Sequence, residues 1–167
     1  NYIERGQEVV LLKPSCEKRD GKMTIKSRIG LEAECIYVED FLKSFLESPH
    51  KYACILVDEA QFLTEGQVND LATIVDDYNI PVICYGLKTD FQSHLFEGSK
   101  RLLELANVIE EIPTICWCGK KAIMNARIID GKMVDEGSQI LLGGNESYTS
   151  VCRKHYFEKN LGPNKNS

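Results

Sequence analysis

Two adjacent carboxylates end the apolar segment ACILVDEAQFL, which spans residues 53–63. Burying charge is costly unless a metal ion or a proton transfer makes use of it. An Asp that follows a hydrophobic strand can hold Mg²⁺ beside bound phosphates, and an adjacent Glu can act as a general base toward a hydroxyl or water. Asp58 and Glu59 therefore predict a catalytic strand end. The alternative is an acidic strand end that is only solvated.

A second group of residues has the spacing of a metal site. Cys116-x-Cys118 is followed by Cys152-x-x-His155, and all four lie within 40 residues. Three thiolates and one imidazole form the soft, tetrahedral donor set that structural Zn²⁺ prefers. The first pair is one residue shorter than the usual Cys-x-x-Cys. Zinc is favoured over the alternative, three reduced cysteines and a surface histidine, and with no open position the site is predicted to be structural.

Two further stretches contain residues that suit a ligand. Phe91 follows the apolar run VICYGL, and its ring could stack on a nucleobase, although an aromatic residue just past a strand is more often part of the core. The long segment between the two metal-ligand pairs is either functional or an ordinary surface hairpin. Gly143 and Gly144 would let its backbone approach a ligand closely.

Alternating strands and helices are predicted to position these residues. Apolar runs predict strands at 9–12, 36–38, 54–57, 82–87 and 108–112. Between them, Asp40 is the predicted N-cap of one helix and Thr64, with Gln67, forms the capping box of a second; a third is predicted at 99–106. This order indicates an α/β core with a mostly parallel sheet, in which ligands bind at the carboxyl ends of the strands.

The composition limits the class of protein. The chain has 167 residues, enough for one domain or a domain with a small appendage, and a net charge of −5. That charge argues against a nucleic-acid partner held by phosphate contacts. No apolar run approaches the roughly 20 residues that span a bilayer, so we expect a cytoplasmic protein without a membrane partner. The seven scattered cysteines do not indicate a disulfide framework.

Five stretches occur in an order that is typical of one family. They are VDEAQFL, YGLKTDFQ, CWCGKKA, LLGGNESY and CRKHYF. Together they resemble the type II thymidine kinases, the cellular group with an α/β nucleotide-binding core and a zinc-held lasso over the substrate. The resemblance extends from about Gly6 to Phe157, and the Cys-x-Cys with Cys-x-x-His variant is similar to that of some bacterial members.

The resemblance implies ATP-dependent phosphorylation of the thymidine 5′-hydroxyl. It makes Glu59 the general base, Asp58 the carboxylate that serves Mg²⁺, and Gln61 a neighbour of the nucleotide. Phe91 corresponds to the aromatic residue that stacks on thymine. The remaining positions that correspond to thymidine contacts belong to the lasso and its end: Gln139, Ile140, Leu141, Leu142, Gly143 and Tyr148.

The resemblance also implies an architecture and partners. The expected fold is a mostly parallel sheet of the P-loop NTPase type with a small C-terminal zinc-stabilised lasso domain. We expect the nucleotide-binding core at 1–112, the lasso domain at 113–160 and a disordered tail at 161–167. Members of the family imply a homotetramer, with thymidine triphosphate (dTTP) as feedback inhibitor and Zn²⁺, Mg²⁺ and ATP as cofactors.

One departure from the family pattern concerns the phosphates. No G-x-x-x-x-G-K-[ST] motif occurs in the 167 residues, and NYIERGQEVV resembles the end of the helix that follows such a loop. We therefore expect the intact gene product to be active and this segment alone to be inactive, because phosphoryl transfer depends on groups that position the phosphates.

Two other functions compete with a nucleoside kinase. DEAQ after an apolar strand also occurs in helicase-like NTPases, which would bind single-stranded DNA; the acidic charge and the lack of a basic, aromatic-rich groove argue against this reading. The second is a non-catalytic, zinc-stabilised interaction module.

Overall fold

The computed structural model describes residues 6–15, 24–26, 32–139 and 146–163. The chain divides into two compact units, the first formed by Asn1–Lys88 with Phe96–Ala106 and the second by Thr89–Leu95 with Asn107–Ser167. The short segment Thr89–Leu95 thus groups with the C-terminal residues. The predicted domain limits at 112 and 160 stay a prediction.

The first unit is built on parallel strands. Within the described ranges its strands are β1 (Val9–Lys13), β2 (Thr24–Lys26), β3 (Glu32–Glu34), β4 (Ile36–Tyr37), β5 (Cys54–Val57) and β6 (Val82–Cys84). Four of these described strands form a parallel sheet in the order β4-β1-β5-β6, while β2 and β3 pair as a separate antiparallel ladder. The predicted α/β fold with a parallel sheet is confirmed.

The centre of this sheet is apolar on both faces. Cys54, Ile55 and Val57 of β5 are fully buried, which is why the strand shows no polar alternation in sequence. The register places Leu12 of β1 opposite Val57, and Val57 opposite Cys84 of β6. The carboxyl ends of these three strands therefore lie side by side at one edge.

Helices cover the sheet of the first unit. The described ones are α1 (Val38–Glu47), α2 (Glu65–Tyr78) and α3 (Glu97–Leu105). The core cluster takes Phe41, Leu42 and Phe45 from α1 and three residues from α2, namely Val68, Leu71 and Ile74. This spacing by three and four residues gives each of these two helices one apolar face toward the strands.

The helix starts show one confirmed and one wrong prediction. Thr64 and Gln67 form the predicted capping box: each side chain accepts a hydrogen bond from the other residue's backbone N–H. Asp40, in contrast, is not an N-cap. α1 begins at Val38, so Asp40 lies in its first turn, where its charge still suits the positive end of the helix dipole.

The strand predicted at 108–112 is wrong. These residues belong to no element, and Val108, Ile109 and Ile112 are 74%, 61% and 73% exposed. A β-branched run forms a strand only where a neighbour supplies hydrogen bonds, and no described strand pairs with it. β6 ends at Cys84, three residues earlier than predicted, although the Tyr85 N–H still donates to Val57 O at 2.8 Å.

The second unit is antiparallel. Its described elements are β7 (Thr114–Ile115), β8 (Lys121–Ala122), β9 (Met124–Ile129), β10 (Lys132–Val134), β11 (Glu146–Val151) and α4 (Arg153–Phe157). Among these, β10, β9 and β11 form one sheet with β9 in the middle, and β7 pairs with β8. Asp130 and Gly131 have positive φ angles, 49° and 76°, so Asp-Gly forms the tight turn between β9 and β10.

The end of the described chain is packed. Leu161 is buried in the hydrophobic cluster of the second unit, and the Gly162 N–H donates to Asn160 Oδ1 at 3.0 Å. The predicted tail at 161–167 therefore begins with residues that make contacts, and its last four residues lie outside the described part of the chain. Of the described helices, none is both long and apolar enough to cross a membrane.

The capping box predicts a measurable loss of stability. Thr64→Ala removes the oxygen that accepts from the Gln67 N–H, and we expect the free energy of unfolding to fall by about 1 kcal/mol. Urea denaturation followed by circular dichroism measures it. Thr73→Ala, an exposed change within α2, is the control and should stay within about 0.5 kcal/mol. Equal effects of the two changes would contradict the role of the cap.

Candidate active site and metal centre

The paired carboxylates stand where β5 ends. The Asp58 N–H donates to Leu12 O at 2.9 Å, which extends the β1–β5 ladder by one residue. The Asp58 Oδ1 then accepts the Glu59 N–H at 2.9 Å. Both side chains are half-buried, so they combine a fixed backbone with access to a ligand. The two carboxylates that the sequence singled out therefore stand at the carboxyl end of β5.

Glu59 has a strained backbone. Its φ and ψ are 51° and 37°, in the left-handed region that residues with a side chain seldom adopt. Such a conformation costs about 1 kcal/mol or more and persists only where the surroundings impose it. The surroundings here are the abrupt change from β5 into the 3₁₀ turn Ala60–Phe62.

Gln61 orients the Glu59 carboxylate. Its side chain is 2% exposed, and its Oε1 accepts the Leu87 N–H at 3.1 Å. The amide Nε2 is thereby turned toward Glu59 and donates to Glu59 Oε2. A carboxylate that accepts such a bond is held in one position, as a general base requires.

Glycines allow the backbone to close around this turn. A Cβ on Gly86 would lie 2.9 Å from Gln61 N, and one on Gly98 would lie 2.6 Å from Ala60 O. The Ala60 N–H also donates to Tyr85 O at 2.8 Å. The end of β6 and the start of α3 therefore press directly on the turn that carries Glu59 and Gln61.

Lys13 is a residue of this edge that sequence analysis missed. It ends β1, next to the Leu12–Val57 pair, and is 8% exposed. Burial raises the pKa of the Cys35 thiol, while the charge of Lys13 lowers it and that of Asp58 raises it. Both charges thus act on one thiol. The sequence pattern that could have identified it is a Lys directly after the apolar run at residues 9–12, at the carboxyl end of the predicted strand.

The four predicted metal ligands come together in the second unit. The ligand atoms of Cys116, Cys118, Cys152 and His155 lie within 4.8 Å of one another. The His155 Nδ1 is 3.4 Å from Cys116 Sγ and 3.5 Å from Cys152 Sγ, and the Cys118 and Cys152 sulfurs are 4.0 Å apart. A tetrahedral zinc ion has ligand separations of about 3.5–3.8 Å. The donor set and its spacing fit Zn²⁺.

Local structure explains how the short Cys-x-Cys spacing works. Cys116 and Cys118 lie in the turn between β7 and β8, where the Cys116 N–H donates to Lys120 O at 2.8 Å. Gly119, with φ 84°, completes that turn. Cys152 precedes α4 and His155 is one turn along it. A hairpin turn and a helix start each present two ligands on the same side.

The environment of Cys116 favours the thiolate. Burial raises the pKa of this thiol, but hydrogen bonds from the backbone of Cys118 and Cys152 and from the His155 side chain outweigh burial and lower the pKa to about 6. A thiol with this pKa is mostly deprotonated at neutral pH, and the thiolate is the form that binds a metal.

Trp117 packs against the metal centre. Its indole stacks on the His155 imidazole with ring centroids 4.3 Å apart and an angle of 14° between the planes. The indole Nε1 donates to Asn160 O at 3.2 Å. Gly162 is the residue that lets the chain pass, because a Cβ there would lie 2.8 Å from the indole. Trp117 therefore reports on the position of His155.

The residues predicted to contact a base also lie in the second unit, as far as they are described. Phe91 is 2% exposed, and the Arg127 guanidinium lies 3.6 Å from its ring centroid. Tyr148 Oη accepts from Arg127 Nε at 2.8 Å, and Gln139 Nε2 donates to Asp90 Oδ2 at 2.8 Å. Ile140, Leu141, Leu142 and Gly143 fall outside the described residues. Their predicted roles stay predictions.

The first unit has a parallel sheet with two carboxylates at its edge, and the antiparallel unit that follows has a Cys₃His cluster. These features define an α/β protein with a small C-terminal unit that carries a candidate zinc site. A sequence profile described as "Thymidine kinase" matches residues 1–156. The chain belongs to the thymidine kinase family.

Similar proteins cover nearly the whole chain. The thymidine kinase of Lactococcus lactis subsp. lactis (strain IL1403) is 51% identical over 165 residues, which are 96% of this chain and 87% of that protein. Those of Streptococcus pyogenes serotype M3 (strain SSI-1) and Streptococcus agalactiae serotype III (strain NEM316) are 49% and 48% identical, with the same coverage.

The extent of the match also bears on the other expectations. It includes both the α/β unit and the metal cluster, so neither the helicase-like reading nor the interaction module is favoured. The matches give no support to the expectation that this segment is inactive.

The metal centre yields a prediction with an optical measurement. We expect about one zinc per chain in the purified protein, measured by mass spectrometry of the metal. Removal of the zinc by a chelator should change the fluorescence emission of Trp117, the one tryptophan of the chain, because its indole stacks on His155. Cys116→Ser should abolish zinc retention, while Cys84→Ala, in β6 and outside the cluster, should retain it. Zinc bound equally by both variants would refute the assignment.

Proposed function

We propose that this protein is a type II thymidine kinase that transfers the γ-phosphoryl group of ATP to the 5′-hydroxyl of thymidine, giving dTMP for deoxynucleotide salvage. Family membership carries the reaction. The single structural observation that carries its mechanism is the pair Asp58–Glu59 at the end of β5, with the Glu59 carboxylate oriented by Gln61.

Glu59 is the general base of the proposed mechanism. Its carboxylate takes the proton of the 5′-hydroxyl as the oxygen bonds to the γ-phosphorus and the bond to the leaving ADP oxygen breaks. The donor Gln61 is itself held by the Leu87 N–H. The carboxylate therefore does not need to reorganise when the hydroxyl arrives, which favours proton transfer.

Asp58 is the residue that would hold Mg²⁺. Carboxylate oxygens are the hard donors that Mg²⁺ prefers, and Mg²⁺ usually keeps several waters and takes one or two carboxylates with the substrate phosphates. Asp58 is half-buried and anchored through its own N–H, so its outer oxygen can serve as such a ligand. When bound, the ion would neutralise charge on the phosphates.

The second unit supplies base recognition in this proposal. Phe91 would stack on thymine, Gln139 and the backbone of residues 140–143 would contact the base edge, and Tyr148 would close the pocket. The metal centre joins the turn after β7 to the start of α4. It would keep the ends of this unit in place while the segment between them binds thymidine.

The remaining parts of the proposal rest on the resemblance to type II enzymes. They are a homotetrameric assembly, inhibition by dTTP and a cytoplasmic location, where ATP is available and thiols such as those of the Cys₃His cluster stay reduced.

Replacement of the proposed base tests the mechanism. Glu59→Gln keeps an oxygen that can accept from Gln61 but cannot take a proton, so kcat for thymidine should fall by about 10²–10⁴-fold. Thymidine affinity, measured by calorimetry, should change little. Glu47→Gln, an exposed carboxylate at the end of α1, serves as control. Full activity in Glu59→Gln would eliminate Glu59 as the base.

Replacement of the neighbouring carboxylate tests the metal role. Asp58→Asn keeps an oxygen for the Glu59 N–H but loses the charge. The Mg²⁺ concentration for half-maximal activity should rise about tenfold or more, as measured by titrating Mg²⁺ at fixed ATP. An unchanged Mg²⁺ requirement would show that Asp58 does not serve the ion.

A further inference from the structure

Arg127 is a buried cation in the middle of β9. Its side chain is the largest that is fully buried in the described residues, at 0% exposure. An arginine stays protonated in proteins, so a buried one must find partners or destabilise the fold. In the part of the chain that the structure describes, it forms no salt bridge with a carboxylate.

Three directed hydrogen bonds and one ring satisfy this charge instead. Nη1 donates to Ser138 O at 2.8 Å, Nη2 to Gln139 O at 2.9 Å and Nε to Tyr148 Oη at 2.8 Å. The guanidinium plane lies over Phe91, 3.6 Å from the ring centroid. A planar fork with separate donors can make all four contacts at once, and an ammonium cannot.

The four contacts connect segments that are far apart in sequence. Phe91 belongs to the turn Thr89–Leu95, Tyr148 to β11, and Ser138 and Gln139 end the described chain before residue 140. Every one of these segments contains a residue to which the proposed function gives a contact with thymidine. Three of the five N–H donors of Arg127 bond to other groups of the protein.

The turn that carries Phe91 is built to hold the ring against Arg127. Asp90 Oδ1 accepts the N–H groups of Gln92 and His94, each at 2.9 Å. Tyr156 Oη donates to Phe91 O. Arg127 therefore covers one face of the Phe91 ring.

We propose that Arg127 is a positioning residue for base recognition. It holds the Phe91 ring, the Tyr148 hydroxyl and the backbone at Ser138–Gln139 in one arrangement, and it acts on thymidine only through them. This inference rests on the proposed function, because it takes thymidine as the ligand of these three groups.

Substitution by lysine tests the inference. Arg127→Lys keeps the charge but loses the fork, so the KM for thymidine should rise about 10–100-fold. The KM for ATP and kcat should stay within about threefold. The preference for thymidine over deoxycytidine, measured as a ratio of kcat/KM values, should fall, because the groups that face the base are no longer aligned.

Two further variants separate positioning from folding. Tyr148→Phe removes a single acceptor of Arg127 and leaves the ring, so a smaller rise in the KM for thymidine is expected even if Arg127→Lys fails to fold. Arg101→Lys, in α3 with hydrogen bonds to Asn69 and Glu104, is the matched control and should leave every kinetic constant unchanged.

The outcomes are distinguishable. Unchanged thymidine KM and base preference in both Arg127→Lys and Tyr148→Phe would overturn the inference. So would a loss of soluble protein and zinc in Arg127→Lys combined with an unaltered KM and base preference in Tyr148→Phe. If the wild type does not phosphorylate thymidine, the proposed function fails instead. Calorimetry of thymidine binding to the wild type and Arg127→Lys then decides the inference, which a lack of difference would refute.

Discussion

The end of β5 is held by backbone hydrogen bonds from both sides, and the position of the paired carboxylates in the first unit depends on this constraint. The Asp58 N–H donates to Leu12 O of β1, the Tyr85 N–H to Val57 O and the Ala60 N–H to Tyr85 O. These bonds fix the backbone on both sides of Glu59, so the chain changes direction at this residue. The left-handed backbone of Glu59 is the local cost, and a fixed carboxylate at the sheet edge is the result.

The second unit has fewer buried apolar residues in its hydrophobic cluster than the first. Its hydrophobic cluster is small and includes two of the cysteines themselves, Cys116 and Cys152. Small domains commonly need a metal to supplement such a core. The Cys₃His cluster has the donor set for such a metal. The buried Arg127 of β9 donates hydrogen bonds to the backbone of Ser138 and Gln139.

Several features could be predicted because their causes are local. The capping box at Thr64 depends on two residues three apart, and the Cys₃His set depends on ligand chemistry and two short spacings. The strand at Cys54–Val57 followed from an apolar run with no alternation. The two errors have different causes. Residues 108–112 have the composition of a strand but no pairing partner among the described strands. Asp40 is of a residue type that often caps helices, but α1 already begins at Val38.

The sequence by itself determined the α/β class, the position of the paired carboxylates, the metal donor set and the resemblance to type II thymidine kinases. These features depend on the spacing of apolar residues and on the types of residues that lie close together in the chain. Only the tertiary structure decided the contacts of Lys13, Gln61 and Arg127. Gln61 orients Glu59 because the Leu87 N–H, 26 residues away, fixes its amide. Arg127 contacts Phe91 and Tyr148, and no regular spacing in the sequence connects these three residues. Such contacts arise from packing, and packing is not visible in a linear pattern.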